Sequence, residues 1–202
     1  MATRVRAAAR ADRAEGTRRR ILAAAAPLLV EHGYLDATMA EIARAAGVAV
    51  QTLYLAFGSK IAVLEAALAA AAADGARRAE PHRPRAHDDG RTALARHVAG
   101  AAIRVERSYP LAAVLRAAAA DPEAAELLAR ARAATLAEHA RAVDELAEKP
   151  GFTTGISLQR ATDALAALCS PETYGLLVVD HGWTTPDWQD WVTRHATADL
   201  FP

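Results

Sequence analysis

TMAEIARAAGVAVQTLYLAF, residues Thr38 to Phe57, holds two short helical patterns separated by a glycine. Thr38 is followed three residues later by Glu41, and this spacing predicts a capping box at the start of the first helix. Gly47 lies at the turn, where a residue without a Cβ adopts positive φ at no steric cost. The layout is typical of a helix-turn-helix, in which one helix braces a second that enters the DNA major groove.

The second helix is predicted from about Val50 to Ala56, with Leu53 and Phe57 on its inner face and Val48 as the buried plug of the turn. Ala49 occupies the N-cap without a side-chain acceptor, which costs about 1 kcal/mol relative to Ser or Thr. We therefore expect tertiary packing to hold this helix. Its other side chains are the candidates for DNA contact: Gln51, Thr52, Tyr54 and Leu55.

Three of these candidates have alternative interpretations. Gln51 either pairs with adenine through two hydrogen bonds or is a solvated surface residue. Tyr54 either anchors the DNA backbone or packs in the core. Leu55 either meets a thymine methyl group or is buried.

Helical patterns flank the motif on both sides. Upstream, Thr17 is predicted to cap a helix that ends at Gly33, and Pro27 inside it predicts a kink. Downstream, Gly58 closes the second helix of the motif and Ser59 caps a fourth. The expected buried faces are Ile21, Ala25, Leu28, Leu29 and His32 upstream, and Ile61, Leu64, Leu68 and Ala72 downstream.

Three segments carry a family resemblance: TRRRIL from Thr17, GYLDATMAEIARAAGV from Gly33, and TLYLAFGSK from Thr52. Over roughly Thr17 to Leu68, the chain resembles the N-terminal domain of TetR-type transcriptional regulators. The resemblance implies phosphate contacts from Thr38 and Lys60 and further DNA contacts from Thr52 and Tyr54. The full expected DNA-binding set is Thr38, Val48, Gln51, Thr52, Tyr54, Leu55, Lys60 and Arg18.

The chain departs from the usual family pattern within the second helix of the motif. The family usually has Ser at the position of Ala49, Gly at that of Gln51, and often His or another polar residue at that of Leu55 or Ala56. The operator sequence of this protein therefore cannot be deduced from the operators of other family members.

The charge distribution favours a DNA-facing N-terminal part. The whole chain is formally neutral, but residues 1–60 hold nine Lys and Arg against five Asp and Glu, a net charge of +4, and the remainder carries −4. The arginines of the N-terminal arm and of the helix start after it either follow the phosphate backbone or enter a minor groove, and the alternative for the arm is a solvated tail. They are Arg4, Arg6, Arg10 and Arg13, continued by Arg18, Arg19 and Arg20.

Composition predicts an all-α fold of about nine to ten helices, because 52% of residues are hydrophobic and only 5% are aromatic. One cysteine, Cys169, excludes an internal disulfide, and no cofactor or metal is expected. Without an apolar run of 18 residues or a signal pattern, a cytoplasmic bacterial protein is expected. The expected division is a basic flexible arm (1–16), a three-helix DNA-binding domain (17–58), a connecting helix (59–80), a linker (81–90) and a C-terminal bundle (91–202).

The linker belongs to a longer Pro- and Gly-bearing stretch that is expected to start at Gly75. Beyond this stretch the pattern stays helical. A break is expected at Tyr109 and Pro110, a start at Asp121 and Pro122, and caps at Ser157 and Ser170. A last helix is predicted from Thr185 to near Leu200. The long helix after Pro122 has an expected inner face of Leu127, Leu128, Ala131, Thr135, Leu136, His139, Val143 and Leu146.

The family resemblance implies that a small-molecule effector binds inside the C-terminal bundle. Candidate pocket residues, each with a surface or structural role as the alternative, are His97, Arg104, Tyr109, Leu115, Leu136 and His139. Dimerisation is expected near the aromatic terminus, although the same residues could close the core of one protomer. The expected interface is Leu165, Tyr174, Leu177, Val178, Trp183, Trp188 and Trp191.

These patterns predict a ligand-responsive regulator, most simply a repressor that binds a palindromic operator on double-stranded DNA as a homodimer and is released by a small molecule. No enzymatic role and no membrane partner are expected. The alternative is a helical dimeric interaction or ligand-binding protein that has lost sequence-specific DNA binding, motivated by Ala49, Leu55 and Ala56.

Overall fold

The computed structural model describes residues 2–202, with side chains from Arg13 onward, so the predicted roles of Arg4, Arg6 and Arg10 lie outside the described side chains. Over this range the fold is all-α, as predicted. It has eight helices of seven or more residues and one single-turn helix, slightly fewer than expected. No single described helix is long and apolar enough to cross a membrane; the bent pair Val50–Phe57 and Lys60–His82 reaches that length and composition only when joined.

The helices are α1 (Ala2–Asp36), α2 (Met39–Ala45), α3 (Val50–Phe57), α4 (Lys60–Ala79), α5 (Gly90–Ala117), α6 (Pro122–Ala147), α7 (Leu158–Leu168), α8 (Pro171–Tyr174) and α9 (Thr185–Leu200). A 3₁₀ turn, Glu80–His82, follows α4, and a π-helical segment, Gly175–Asp180, follows α8. Ser157 and Ser170 cap α7 and α8 as predicted, whereas the N-cap of α9 is Thr184.

The helices form two packed units. The first unit is the chain up to Ala70 together with Ala113–Leu127, and the second is Ala71–Ala112 together with Leu128–Pro202. Buried side chains of the first unit include Ile21, Leu29, Tyr34, Ile42, Leu53, Val63, Leu64 and Leu115. The core of the second unit includes Leu94, Val98, Leu165, Tyr174, Trp188, Val192 and Phe201.

Helix α1 differs from the prediction in its start and in having no non-helical angles at Pro27, whereas it breaks at Gly33, where its end was predicted. It is continuous from Ala2, so Thr17 lies inside a helix and the predicted cap there is wrong. The break within α1 falls at Gly33 (φ 77°, ψ 171°) and not at Pro27. That combination of angles is essentially restricted to glycine. Pro27 is exposed, where water can replace the backbone donor that proline lacks.

The buried face of α1 is narrower than the sequence pattern suggested, and that of α4 is shifted. Three expected members, Ile21, Ala25 and Leu29, are buried in α1, but His32 is exposed. The buried face of α4 is centred on Val63, Leu64 and Ala67, while Ala72 is exposed. Helix α4 also continues through Gly75 to Ala79, so the predicted start of the linker at Gly75 is wrong.

Helix α5 runs without interruption through Tyr109 and Pro110, so the predicted break there is wrong. Pro110 removes one backbone donor, but the residues after it, Leu111, Val114 and Leu115, are all buried. Apolar burial of this kind outweighs the local cost of a proline inside a helix.

Helix α6 begins as predicted, because the Asp121 carboxylate accepts hydrogen bonds from the backbone N–H groups of Glu123 (3.0 Å) and Ala124 (3.1 Å). Its predicted inner face is only half correct. Leu127, His139, Val143 and Leu146 are buried, and Leu128 is half-buried. Residues 129–137 are exposed, and the wrongly placed residues are Ala131, Thr135 and Leu136.

A histidine pair joins α5 to α6 in the second unit. His97 Nε2 lies 3.0 Å from His139 Nδ1, and both rings are buried. Burial lowers the pKa of His97 to about 3, helped by His139 and Arg104. Burial lowers the pKa of His139 to about 4, helped by Arg104. Both imidazoles are therefore neutral near pH 7.

The histidine pair predicts a loss of stability in mild acid. Both folded-state pKa values lie below the value of about 6.5 for an unfolded chain, so the unfolded state binds more protons as the pH falls. The free energy of unfolding should drop below about pH 6.5, approaching roughly 1.4 kcal/mol per pH unit for each histidine, until the folded pKa values are reached.

Chemical denaturation of the full chain at pH 7.0, 6.0 and 5.0 measures this dependence, in a range above the usual titration of carboxylates. The matched control is the double variant His97→Gln and His139→Gln, in which the slope should flatten. Equal slopes for the wild type and this variant would contradict the role of the pair.

Candidate nucleic-acid interface

The start of α2 has the predicted capping box. The Thr38 hydroxyl accepts a hydrogen bond from the backbone N–H of Glu41 at 3.2 Å. The Glu41 carboxylate accepts from the Thr38 hydroxyl (2.7 Å) and backbone N–H (3.0 Å). These hydrogen bonds lower the pKa of Glu41 and keep the carboxylate charged. The apolar face of α2 is buried: Met39, Ile42, Ala43 and Ala46.

The turn between α2 and α3 also forms as expected, with one difference. Gly47 has a positive φ of 63°, and the backbone N–H of Val48 donates to the carbonyl of Ala43 at 3.0 Å. Val48 is half-buried, so the prediction that it is a buried plug is wrong. The turn is closed mainly by its backbone, which leaves part of the Val48 side chain facing solvent.

Helix α3 is held from its inner side and its C-terminal end. Ala49 makes no side-chain capping bond, as predicted. Leu53 is fully buried. Arg18 of α1 donates from Nη1 to the carbonyl of Ala56 at 3.0 Å, and its guanidinium carbon lies 4.2 Å from the centre of the Phe57 ring. A cation at a helix C-terminus satisfies a free carbonyl and opposes the helix dipole.

The outer face of α3, defined as Gln51, Thr52, Tyr54 and Leu55, is exposed. Leu55 is 82% exposed and Tyr54 50% exposed, so the alternatives in which these two side chains are buried are wrong. Sequence reasoning missed two exposed neighbours, Val50 at the start of α3 and Arg44 in the last turn of α2. The sequence could have indicated Arg44 as a candidate for DNA contact, because it is a cation one residue before the end of α2.

Lys60 is bound within the protein. Its Nζ donates to the backbone carbonyls of Leu35 (3.0 Å) and Ala37 (2.9 Å) and lies 4.7 Å from the centre of the Tyr34 ring. The ammonium group therefore fixes the connection between α1 and α2. Thr38 and Arg18 also have donors engaged within the protein, so three of the predicted DNA contacts have structural partners in the free chain.

The second unit holds a cleft of about 970 Å³ between α4, the segment 80–86, α5 and α6. His97 and Arg104 line it, and Arg104 forms an ion pair with Glu138 at 2.6 Å. His139 does not line the cleft, but it lies within hydrogen-bond distance of His97, which does. The other expected pocket residues lie elsewhere: Tyr109 packs against Tyr174, Leu115 is buried in the first unit, and Leu136 is exposed on α6.

The expected interface residues separate into two groups. Leu165, Tyr174 and Trp188 are buried in the core of the protomer, so the prediction that they form an interface is wrong. Leu177, Val178 and Trp191 are partly buried against the same core. Trp183 is exposed, together with two residues that were not predicted, Leu176 and Val179. Sequence could not distinguish these groups, because large apolar residues occur in cores and interfaces alike.

Comparison with known proteins agrees with this architecture. Residues 21–67 match the family model described as bacterial regulatory proteins, tetR family. A putative TetR-family transcriptional regulator from Rhodococcus sp. is 25% identical, with a TM-score of 0.70 over 92% of this chain and 99% of that chain. No curated protein sequence matches the chain significantly.

Two further structures share the fold at 20% identity. FadR from Bacillus subtilis, in complex with stearoyl-CoA, has a TM-score of 0.74 over 90% of this chain and 98% of that one. A putative transcriptional regulator from Saccharomonospora viridis, in complex with choline, has a TM-score of 0.72 over 93% of this chain and 99% of that one.

The first unit thus contains a helix-turn-helix domain on an all-α chain with the fold of bacterial transcriptional regulators. The match over residues 21–67 places the resemblance to the tetR family in this domain, and the fold of the whole chain is similar to that of TetR-family regulators.

The position of Lys60 predicts that it contributes to stability. Lys60→Met removes two charge-assisted hydrogen bonds and should lower the free energy of unfolding by about 1–2 kcal/mol, a value reduced for partial solvent exposure. Thermal unfolding of the full chain measures the effect. Arg44→Met, which removes an exposed cation of the same unit, is the control and should change stability by less than about 0.5 kcal/mol. Unchanged stability in Lys60→Met would contradict the structural role.

Proposed function

We propose that this protein is a transcriptional regulator that binds double-stranded DNA through α3. The observation that carries the proposal is the arrangement of α3, with Leu53 fully buried on one side and Gln51, Thr52, Tyr54 and Leu55 exposed on the other. An exposed second helix braced by a first is what a major groove accepts. The net charge of +4 over residues 1–60 supports a polyanionic partner.

The competing proposal, a helical protein that has lost DNA binding, was motivated by the uncapped Ala49. The structure supports the DNA-binding function more strongly, because α3 spans eight residues despite the missing cap and Arg18 holds its C-terminal end. A helix fixed in this way keeps the backbone position and the side-chain orientation that base recognition needs.

We further propose that the protein acts as a homodimer. Leu176 and Val179 of the π-helical segment are more than half exposed, and Trp183 lies three residues beyond the segment. Clustered apolar side chains at a surface are typical of protein interfaces. A second copy covering these residues would also supply the second reading helix that a two-fold operator requires.

The cleft of the second unit is our candidate for the effector site. It combines alanine side chains from α4, including Ala72, Ala73 and Ala76, with the buried His97 and the Arg104–Glu138 ion pair. A concave site with apolar walls and a few placed polar groups is typical of small-molecule binding. A ligand that prefers one arrangement of the helices would shift the population of states that bind DNA.

Binding of a labelled DNA fragment from upstream of the coding sequence tests the DNA-binding function. We expect a specific complex with two chains per operator, whose affinity falls as salt rises because counterions are released from the phosphates. Gln51→Ala should change preference at particular base pairs by about 1–3 kcal/mol, as expected for loss of a bidentate contact.

Gln159→Ala on α7, in the second unit, is the matched control and should bind like the wild type. If neither the upstream fragment nor a random DNA pool yields a specific, salt-sensitive complex, the lost-binding alternative is correct.

Release of the DNA complex by small molecules tests the effector site, with stearoyl-CoA and choline as the first probes and a metabolite library after them. A releasing compound should act less on Ala76→Phe, whose ring fills the cleft, than on the wild type. Ala129→Phe places the same ring on the exposed part of α6 and should respond like the wild type. Equal release of both variants would place the effector outside the cleft.

A further inference from the structure

Leu55 is the most exposed of the large apolar side chains that the structure describes. It lies one helical turn after Gln51 and opposite the buried Leu53, at the centre of the outer face of α3. Helix α3 is fixed at its C-terminal end by Arg18, so this leucine is held outward on a rigid support. An apolar group in this position is covered only when a partner binds.

We infer that Leu55 reads the C5-methyl group of a thymine in the operator, an inference that rests on the proposed DNA-binding function. In the major groove, the edges of adenine, guanine and cytosine present hydrogen-bond donors and acceptors, and thymine alone adds an apolar methyl group. A leucine pressed against the other three edges leaves those polar atoms without partners, which costs free energy. Leu55 therefore selects thymine and disfavours the other bases.

The neighbouring side chains agree with this preference. Gln51 lies four residues before Leu55, a distance of about 6 Å along the helix, and its amide matches the N6 and N7 atoms of adenine. One turn of helix spans one to two base-pair steps of about 3.4 Å. The two side chains together specify A·T pairs at closely spaced positions in each half-site.

Replacement of thymine by deoxyuridine tests the inference, since it removes one methyl group and keeps base pairing. Full-length protein is first used to select binding sites from a pool of random 30-base-pair duplexes. Each thymine of the enriched site is then replaced in turn, and the affinity is measured by fluorescence anisotropy. At one position per half-site we expect about fourfold weaker binding, the value of one buried methyl group.

The variant Leu55→Ala should bind the thymine and deoxyuridine duplexes with equal affinity, because it lacks the side chain that contacts the methyl group. It should fold normally, since Leu55 packs against little of the protein, and unchanged thermal unfolding checks this. Leu136→Ala, an exposed leucine on α6, is the matched control and should keep the wild-type response to deoxyuridine.

The outcomes separate the inference from the proposed function. If no sequence is enriched from the pool, the DNA-binding function fails and the inference falls with it. If a site is enriched but no deoxyuridine weakens binding, the inference alone is overturned. It is also overturned if deoxyuridine weakens binding of the wild type and Leu55→Ala equally, because another residue or the shape of the DNA then senses the methyl group.

Discussion

The contact between Arg18 and the end of α3 is the interaction on which the helix-turn-helix of the first unit depends. Helix α3 begins at Ala49 without a capping side chain, so its N-terminal end receives no local support. A helix of eight residues is too short to be stable alone in water. Burial of Leu53 and the guanidinium of Arg18 over Phe57 and the Ala56 carbonyl supply the missing stability from another helix. Because these tertiary contacts stabilise α3, the side chains on its outer face are not needed to hold the helix in place.

The same principle explains why three cations or hydroxyl groups that resemble DNA contacts have partners within the protein. Lys60 donates to two carbonyls at the end of α1, and Arg18 donates to a carbonyl at the end of α3. The Thr38 hydroxyl donates to the Glu41 carboxylate. The polar group of each side chain meets a helix terminus, where unpaired backbone groups need partners. Lys60 and Arg18 keep further N–H donors beyond these bonds, so a phosphate contact would use those donors, whereas the single hydroxyl proton of Thr38 is already engaged.

In the C-terminal half, the presence of an aromatic residue does not indicate whether its side chain is buried or exposed. Trp188 and Trp183 are five residues apart, yet the first is completely buried and the second is exposed. The histidine pair shows the same limit, since His97 and His139 are 42 residues apart and meet through the packing of α5 on α6. Helical periodicity also overestimated the buried face of α6, where residues 129–137 are exposed.

Local sequence determined the features that depend on neighbouring residues: the Thr38–Glu41 capping box, the glycine turn at Gly47, the missing cap at Ala49 and the starts of α6, α7 and α8. These depend on backbone geometry and on side chains a few residues apart, which a sequence pattern records directly. Only the tertiary structure decided that α5 continues through Pro110, that Lys60 and Arg18 bind helix ends, and that Leu55 is exposed while Trp188 is buried. The physical reason is that burial and long-range hydrogen bonds depend on which helices meet, and the free energy of that packing exceeds the local preferences of single residues.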